Sequence, residues 1–338
     1  MRRSISFFLP AVMAAAVPTA APAQEPASGP AVAQRSQAPP AARGPAPAPG
    51  QISIRVRGGQ ATKRARYAGQ GTRVRVIGTS RPFVAGQSAA LLIYRRGRLV
   101  ATRHAPITRA GAGGRVAFDF KARRRGLIKL VIRHEATPTQ DAFRSQAAAV
   151  GVIATQAGQG ARGVRVLLLQ RGLRRLGFAV PGTGFYDGGT SRAVLAFRKA
   201  NGLGRDGYAT KRVFSLVLRG KGAFRVRFPR AGRHVEFDWS RQVLAFIDRG
   251  RARRVYHASS GKASTPTVFG KFRFYRKEPG TNSHGMVHSN YFIGGYAIHG
   301  YPSVPNYPAS HGCIRVPIPN ASDIDRQIAI GQTIFVYR

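Results

Sequence analysis

Cys313 is the only cysteine in the chain, and it lies in the run Ser310-His311-Gly312-Cys313-Ile314-Arg315. A single thiol admits two readings, a small buried hydrophobe or a nucleophile. The nucleophile needs positive neighbours that favour the thiolate, and a glycine that lets backbone amides approach a developing oxyanion. His311 and Arg315 supply the first and Gly312 the second, so the setting favours catalysis over burial. The competing chemistry is a metal. His284-x3-His288, with His299, His311 and Cys313 nearby in sequence, offers nitrogen and sulfur ligands for zinc. An i, i+4 pair clamps zinc only on a helix, and Gly285 with the β-branched and aromatic residues that follow argues against one. No Asp or Glu lies between Glu278 and Asp323 to act as a base beside a zinc-bound water. A catalytic zinc is not expected.

The elements that must position these residues lie in segment 224–338. Residues alternate at Val235-Glu236-Phe237-Asp238-Trp239 and at 242–247, and strand-like runs follow at 254–258, 269–275 and 333–337. Glycine and proline punctuate them, so the segment reads as mostly β with one short helix at 321–328. Segment 162–218 is different. Val166, Leu169, Leu173 and Leu176 recur at helical spacing and Gly177 supplies a stop. After a turn at Pro181-Gly182-Thr183-Gly184, Thr190 is placed to cap a second helix carrying Ala193, Val194 and Phe197, which ends near Asn201-Gly202. Thr210 leads into a third with Val213, Leu216 and Val217. Segment 51–155 shows period-two alternation at Ile52, Ile54 and Val56, at Val74 and Val76, and at Ile128, Leu130 and Ile132, between Gly-rich turns. It reads as an antiparallel, immunoglobulin-like sandwich serving as a spacer or wall-adhesion module.

Residues 24–50 are Ala, Pro, Gly and Gln-rich and read as a flexible linker. Before them, Arg2 and Arg3 precede an apolar run that ends in Ala21-Pro22-Ala23, the pattern of a secretory signal peptide over residues 1–23. No later stretch is long and apolar enough for a transmembrane segment, so an exported, extracytoplasmic protein is expected. Its 338 residues carry 55 Lys plus Arg against 12 Asp plus Glu, a formal charge of +43. The basic residues lie in every segment, so the charge is diffuse and implies polyanionic surroundings rather than one site. With one cysteine, an intramolecular disulfide and a four-cysteine zinc site are excluded.

Two resemblances sharpen this reading. The run from Val166 to Thr210 resembles the peptidoglycan-binding domain type 1 family, with the pattern V-x-x-L-Q-x-x-L-x-x-L-G, then T-x-x-A-V-x-x-F, then G-L-x-x-D-G-x-x-T. It departs at Thr183-Gly184, where an acidic-Gly turn is usual, and at Arg198, where Gln commonly follows the Phe. Both read as surface positions. A helical module that merely orients its neighbours remains the alternative. Segment 224–338 resembles the L,D-transpeptidase (YkuD-type) catalytic domain through His299-Gly300 and Ser310-His311-Gly312-Cys313-Ile314-Arg315. The likeness extends to Ser259-Ser260-Gly261-Lys262, Thr265-Pro266-Thr267 and Gly270, and to Ile330-Gly331-Gln332-Thr333. The loop between His299 and Cys313 is proline-rich, with Pro302, Pro305 and Pro308.

That resemblance implies attack by Cys313 on a peptidoglycan stem tetrapeptide, with D-Ala leaving and a 3→3 cross-link forming. His299 matches the general base and acid. Gly300, Ser310, His311, Gly312 and Arg315 are expected to shape the oxyanion hole and position substrate, and no metal or organic cofactor is needed. The whole reads as a multidomain, mainly β protein: a sandwich, a three-helix module and a β-rich catalytic domain. Its partners are peptidoglycan and, by charge, anionic wall polymers, with nucleic acid not expected. Removing 162–218 should leave the chemistry intact. Two rivals stand beside this reading: an L,D-carboxypeptidase that resolves the same acyl-enzyme with water, and a non-catalytic polycation that binds wall polymer.

Overall fold

The computed structural model describes residues 46–62 and 65–338; the signal peptide expected at 1–23 and most of the linker expected at 24–50 lie outside them. The N-terminal strands are β1 (Gln51–Arg57), β2 (Gln60–Ala61), β3 (Arg66–Gly69), β4 (Arg73–Arg81), β5 (Ser88–Arg95), β6 (Arg98–Pro106), β7 (Thr108–Ala110), β8 (Gly113–Lys121), β9 (Gly126–His134), β10 (Phe143–Arg144) and β11 (Ala148–Ile153). They form a sheet of order β1-β4-β8-β7 and a second of order β2-β3-β11-β9-β5-β6, with β10 paired to β9. The alternation read from the sequence turns Ile52, Val74, Val76, Leu130 and Ile132 into one buried cluster between them, which Val150 joins. Ala48, from the end of the expected linker, bridges Gln140 of the sandwich.

Three helices follow: α1 (Val164–Arg175), α2 (Gly188–Ala200) and α3 (Lys211–Leu218). Thr210 caps α3 through Val213 N. At α2 the cap is Asp187 rather than Thr190. The Asp187 carboxylate accepts from Thr190 N at 2.7 Å and from Thr190 Oγ1 at 2.8 Å, a charged acceptor at the positive helix end. Arg198 is likewise not a surface residue. It is buried, ion-paired to Asp206 at 2.7 Å, and donates to the carbonyls of Gly204 and Tyr208.

The C-terminal elements are β12 (His234–Asp238), β13 (Val243–Asp248), β14 (Arg251–His257), β15 (Gly270–Arg273), β16 (Arg276–Thr281), β17 (Val287–Ile293), β18 (Tyr296–Tyr301), β19 (Ile314–Pro317), α4 (Ile318–Gln327) and β20 (Thr333–Tyr337). α4 starts earlier than the sequence suggests because proline suits a first helical turn. The strands make sheets of order β14-β13-β12-β20-β15 and β16-β17-β18-β19. Between them lies a core of Val235, Phe237, Leu244, Ile298, Ile314, Val316 and Ile334, closed by Ile324 of α4.

The other face of the first sheet is covered by the helices. Val243, Ala245, Ile247 and Val255 share one buried cluster with Leu169, Leu173, Phe178, Val194, Phe197 and Phe214. Removing 162–218 would therefore strip a sheet face bare. Each large apolar side chain so uncovered is worth about 1.5–3 kcal/mol of burial, so the segment contributes to the stability of the catalytic sheet as well as lying beside it. Among the described residues no helix is long and apolar enough to cross a membrane.

Candidate active site

β18 and β19 run parallel, with Ile298 beside Ile314 and His299 beside Arg315. Ile298 and Ile314 point into the core, so the alternation of a strand turns His299 and Arg315 to the opposite face. Cys313, one residue before β19, falls in register next to Ala297 on that same face. The local sequence dictates this arrangement: a β-branched apolar residue follows the cysteine and precedes the histidine, and each is drawn inward. His299 Nδ1 lies 3.0 Å from Gly300 O. A carbonyl can only accept, so Nδ1 carries the hydrogen and the Nε2 lone pair is free to take a proton.

The chain before Cys313 is held by side chains distant in sequence. Ser310 Oγ donates to Cys313 O at 2.6 Å and accepts from Gly312 N at 3.1 Å, closing the turn. Thr267 Oγ1 donates to Gly312 O at 2.6 Å and accepts from Gly261 N at 2.8 Å. Thr265 Oγ1 donates to Ser310 O, while Ala309 N and Ser310 N both donate to Ser260 O. Ser260 is fixed in turn by Gln242, whose Oε1 accepts from Ser260 N at 2.7 Å. Gly312 has φ +122°, and a Cβ there would meet the Tyr296 ring at 2.6 Å, so glycine is required twice over.

Burial sets the proton affinities. The Cys313 thiol is pushed above its ordinary value of 9.0 by burial, against smaller opposing effects of the Ala297 backbone and Arg315. The same cause holds His299 below 6.5, with the Gly300 bond opposing it and Arg315 adding to it. Arg315 favours the thiolate, as expected of a positive neighbour, but desolvation outweighs it and the net direction is upward. Both directions favour the uncharged forms, thiol and imidazole.

The remaining expected residues divide. Gly300 serves through its carbonyl on His299, and a Cβ on it would meet Ala321 of α4 at 2.7 Å. Arg315 stacks on the Tyr301 ring, 4.0 Å from its centroid, and Tyr301 meets His299 edge-on. His311 is exposed, so no packing role falls to its side chain. Residues not singled out for a role include Gln242, Thr265, Thr267 and Ser260, whose sequence signal was only the short likeness around 259–267. His288, weighed above only as a zinc ligand, is held at φ 51° in a bulge of β17, where Val287 pairs Gly300 and Asn290 pairs Ile298. The His284–His288 pair spans a turn in which Asn282 Oδ1 accepts from His284 N and Met286 N. Among the described residues no group of three or more His, Cys, Asp or Glu is arranged to hold a metal ion.

Comparison with known proteins agrees with these motifs. Residues 232–336 match the L,D-transpeptidase catalytic domain family, and residues 162–216 match a peptidoglycan binding domain family. Among solved structures, an L,D-transpeptidase from Xylanimonas cellulosilytica is 34% identical over 55% of this chain and 98% of that one, with a TM-score of 0.49. An L,D-transpeptidase from Stackebrandtia nassauensis is 20% identical over 54% of this chain and 96% of that one, with a TM-score of 0.35. The catalytic domain of an L,D-transpeptidase from Enterococcus faecium is 24% identical over 31% of this chain and 96% of that one, with a TM-score of 0.28. No curated protein matches the chain.

Proposed function

This chain belongs to the L,D-transpeptidase family, and on that premise we propose that it is an exported enzyme that joins peptidoglycan stem peptides through a thioester on Cys313. The observation that carries the reading is that Cys313 immediately precedes β19, the parallel neighbour of the strand that holds His299, with Gly300 O fixing the imidazole tautomer. The donor stem presents the carbonyl between its third residue and the terminal D-Ala. Cys313 Sγ attacks that carbon as His299 Nε2 takes the thiol proton. Gly312 N–H is already committed to Ser310 Oγ, so the developing oxyanion falls to the Cys313 N–H. Collapse breaks the peptide bond, and D-Ala leaves with the proton returned by His299. The side-chain amine of the third residue on a neighbouring stem then attacks the thioester, giving its proton to His299 and restoring the thiol. The product is a 3→3 cross-link.

Arg315, held flat on Tyr301, is suited to orient a stem carboxylate beside the pair. The basic start, apolar run and Ala21-Pro22-Ala23 support export, and the charge of +43 supports retention by anionic wall polymers. The test is mass analysis after incubation with a disaccharide tetrapeptide. Cross-linked dimer is expected. Hydrolysed tripeptide alone would make the protein a carboxypeptidase, and dimer formation surviving in Cys313→Ala would overturn the nucleophile.

A further inference from the structure

Two polar connections cross from the helical module to the loop between His299 and Cys313. The first is buried. Lys199 of α2 is 2% exposed, and its Nζ lies 2.8 Å from His257 Nδ1 and donates to Ala258 O at 2.9 Å. His257, 5% exposed, reaches Val304 O through Nε2 at 2.9 Å. Because Val304 O only accepts, His257 carries its hydrogen on Nε2 and receives the lysine at Nδ1. The chain of donors therefore runs one way, from α2 to the loop. No carboxylate partners this lysine among the described residues, so the site keeps a desolvated amine with no counter-ion to offset it.

The second connection is reciprocal. Arg205 Nη1 donates to Asn306 O at 2.8 Å, and Asn306 Nδ2 donates to Arg205 O at 2.7 Å. Arg205 Nη2 also donates to Ser240 O at 2.8 Å, which ties the same guanidinium to the catalytic sheet. Behind it, the buried Arg198 holds Gly204 O and Asp206 on either side of Arg205. Both the side chain and the carbonyl of Arg205 thus bond one loop residue. From the catalytic side, Ser259 Oγ donates to Tyr307 O at 2.6 Å. The loop is thus clamped between the two modules a few residues before the nucleophile.

We infer that Lys199 and Arg205 are positioning residues for acyl transfer: through Val304 and Asn306 the helical module sets the path of the loop that delivers Cys313. The module is then part of the catalytic machinery and not only a wall-binding attachment. This inference rests on the reading of Cys313 as the nucleophile. Neither residue touches the reacting atoms, and their effect comes from fixing where the thiol and the stem meet. Misplacement by about 1 Å can cost about 10²-fold in rate, so loosening this loop should be felt in kcat.

Arg205 is exposed, so its replacement leaves the core intact and tests the idea in the full chain. Arg205→Ala, Arg205→Lys and Asn306→Ala should melt with the parent, yet lose about tenfold or more in kcat on disaccharide tetrapeptide with KM little changed. Lysine should not rescue, because a single ammonium cannot span Asn306 O and Ser240 O as the guanidinium fork does. Alkylation of Cys313 by iodoacetamide, read by mass, needs no substrate and has no competing thiol. It should differ at least several-fold in Arg205→Ala, since a released loop shifts the turn that holds Sγ 3.5 Å from Gly295 O. Turnover and alkylation both within about twofold of the parent would overturn the inference, as would full rescue by Arg205→Lys. Altered alkylation of Arg205→Ala, where the parent itself makes no dimer, would instead uphold the clamp and refute the assigned reaction.

Discussion

His299 and Cys313 illustrate how burial, rather than neighbouring charge, decides the chemistry of a site. A preformed thiolate would alkylate rapidly in mild acid. A buried neutral thiol becomes reactive only as the medium approaches its raised pKa. The rate of iodoacetamide alkylation should therefore climb with pH through neutrality and level off only above 9.0, the ordinary thiol value. A plateau already present near pH 6 would show the ion pair instead. The same neutral imidazole is the form that accepts the thiol proton. Depression of His299 below 6.5 keeps it competent throughout the neutral range, and the acid limb of kcat/KM should fall below that value. His299→Ala should lose about 10²-fold or more in turnover, while His311→Ala, whose side chain is exposed, should lose far less. The reverse order would place the base at His311.

At the scale of elements, the turn that carries Cys313 is built by segment 259–267 as much as by its own residues. A Cβ on Gly261 would stand 2.2 Å from Thr265 O, 2.7 Å from Thr267 N and 2.9 Å from Gly312 Cα. All three are backbone atoms, which cannot rotate aside, so Gly261→Ala must push the turn that carries Cys313. Turnover should drop about 10²-fold with the fold retained, as judged by near-UV circular dichroism. Activity within about twofold of the parent would show that the cradle does not position the thiol. Strands such as β1, β4 and β9 were legible from alternation because each lays one face on a core, whereas β6 and β16, exposed along most of their length, carry no such signal. Cys313 stood out by its type and neighbours, while His299 was singled out only through the family resemblance. What Thr267, Ser260 and Gln242 do was not legible, since it depends on pairing between stretches far apart in sequence. The α2 cap was misplaced for a local reason: Asp187 and Thr190 both suit a helix start, and only the bond direction separates them.

The whole molecule adds what periodicity could not show. Lys199 on an amphipathic helix reads as a solvent residue, and it is buried only because α2 lies on β14, where His257 ends the strand. Desolvation, reinforced by Arg205, pushes its pKa from 10.5 down to about 6. Between those values the unfolded chain holds a proton that the folded chain does not. Stability from this group therefore rises with pH across that window, by up to about 1.36 kcal/mol per pH unit, and the penalty is complete below pH 6. His257, pushed from 6.5 down to about 3, titrates lower and does not disturb measurements between pH 7.5 and pH 9.5. Lys199→Met deletes the titrating amine while keeping the bulk. It leaves Ala258 O and His257 Nδ1 without their donor, at a cost of about 1–3 kcal/mol each at every pH. The variant should be clearly weaker than the parent at pH 9.5, and the gap should narrow as pH falls to 7.5. Urea unfolding of both proteins at several pH values measures that gap directly. A difference that stays constant across the series would mean that Lys199 keeps its proton in the folded state, and that the bridge from α2 to the catalytic loop is made by a buried ammonium.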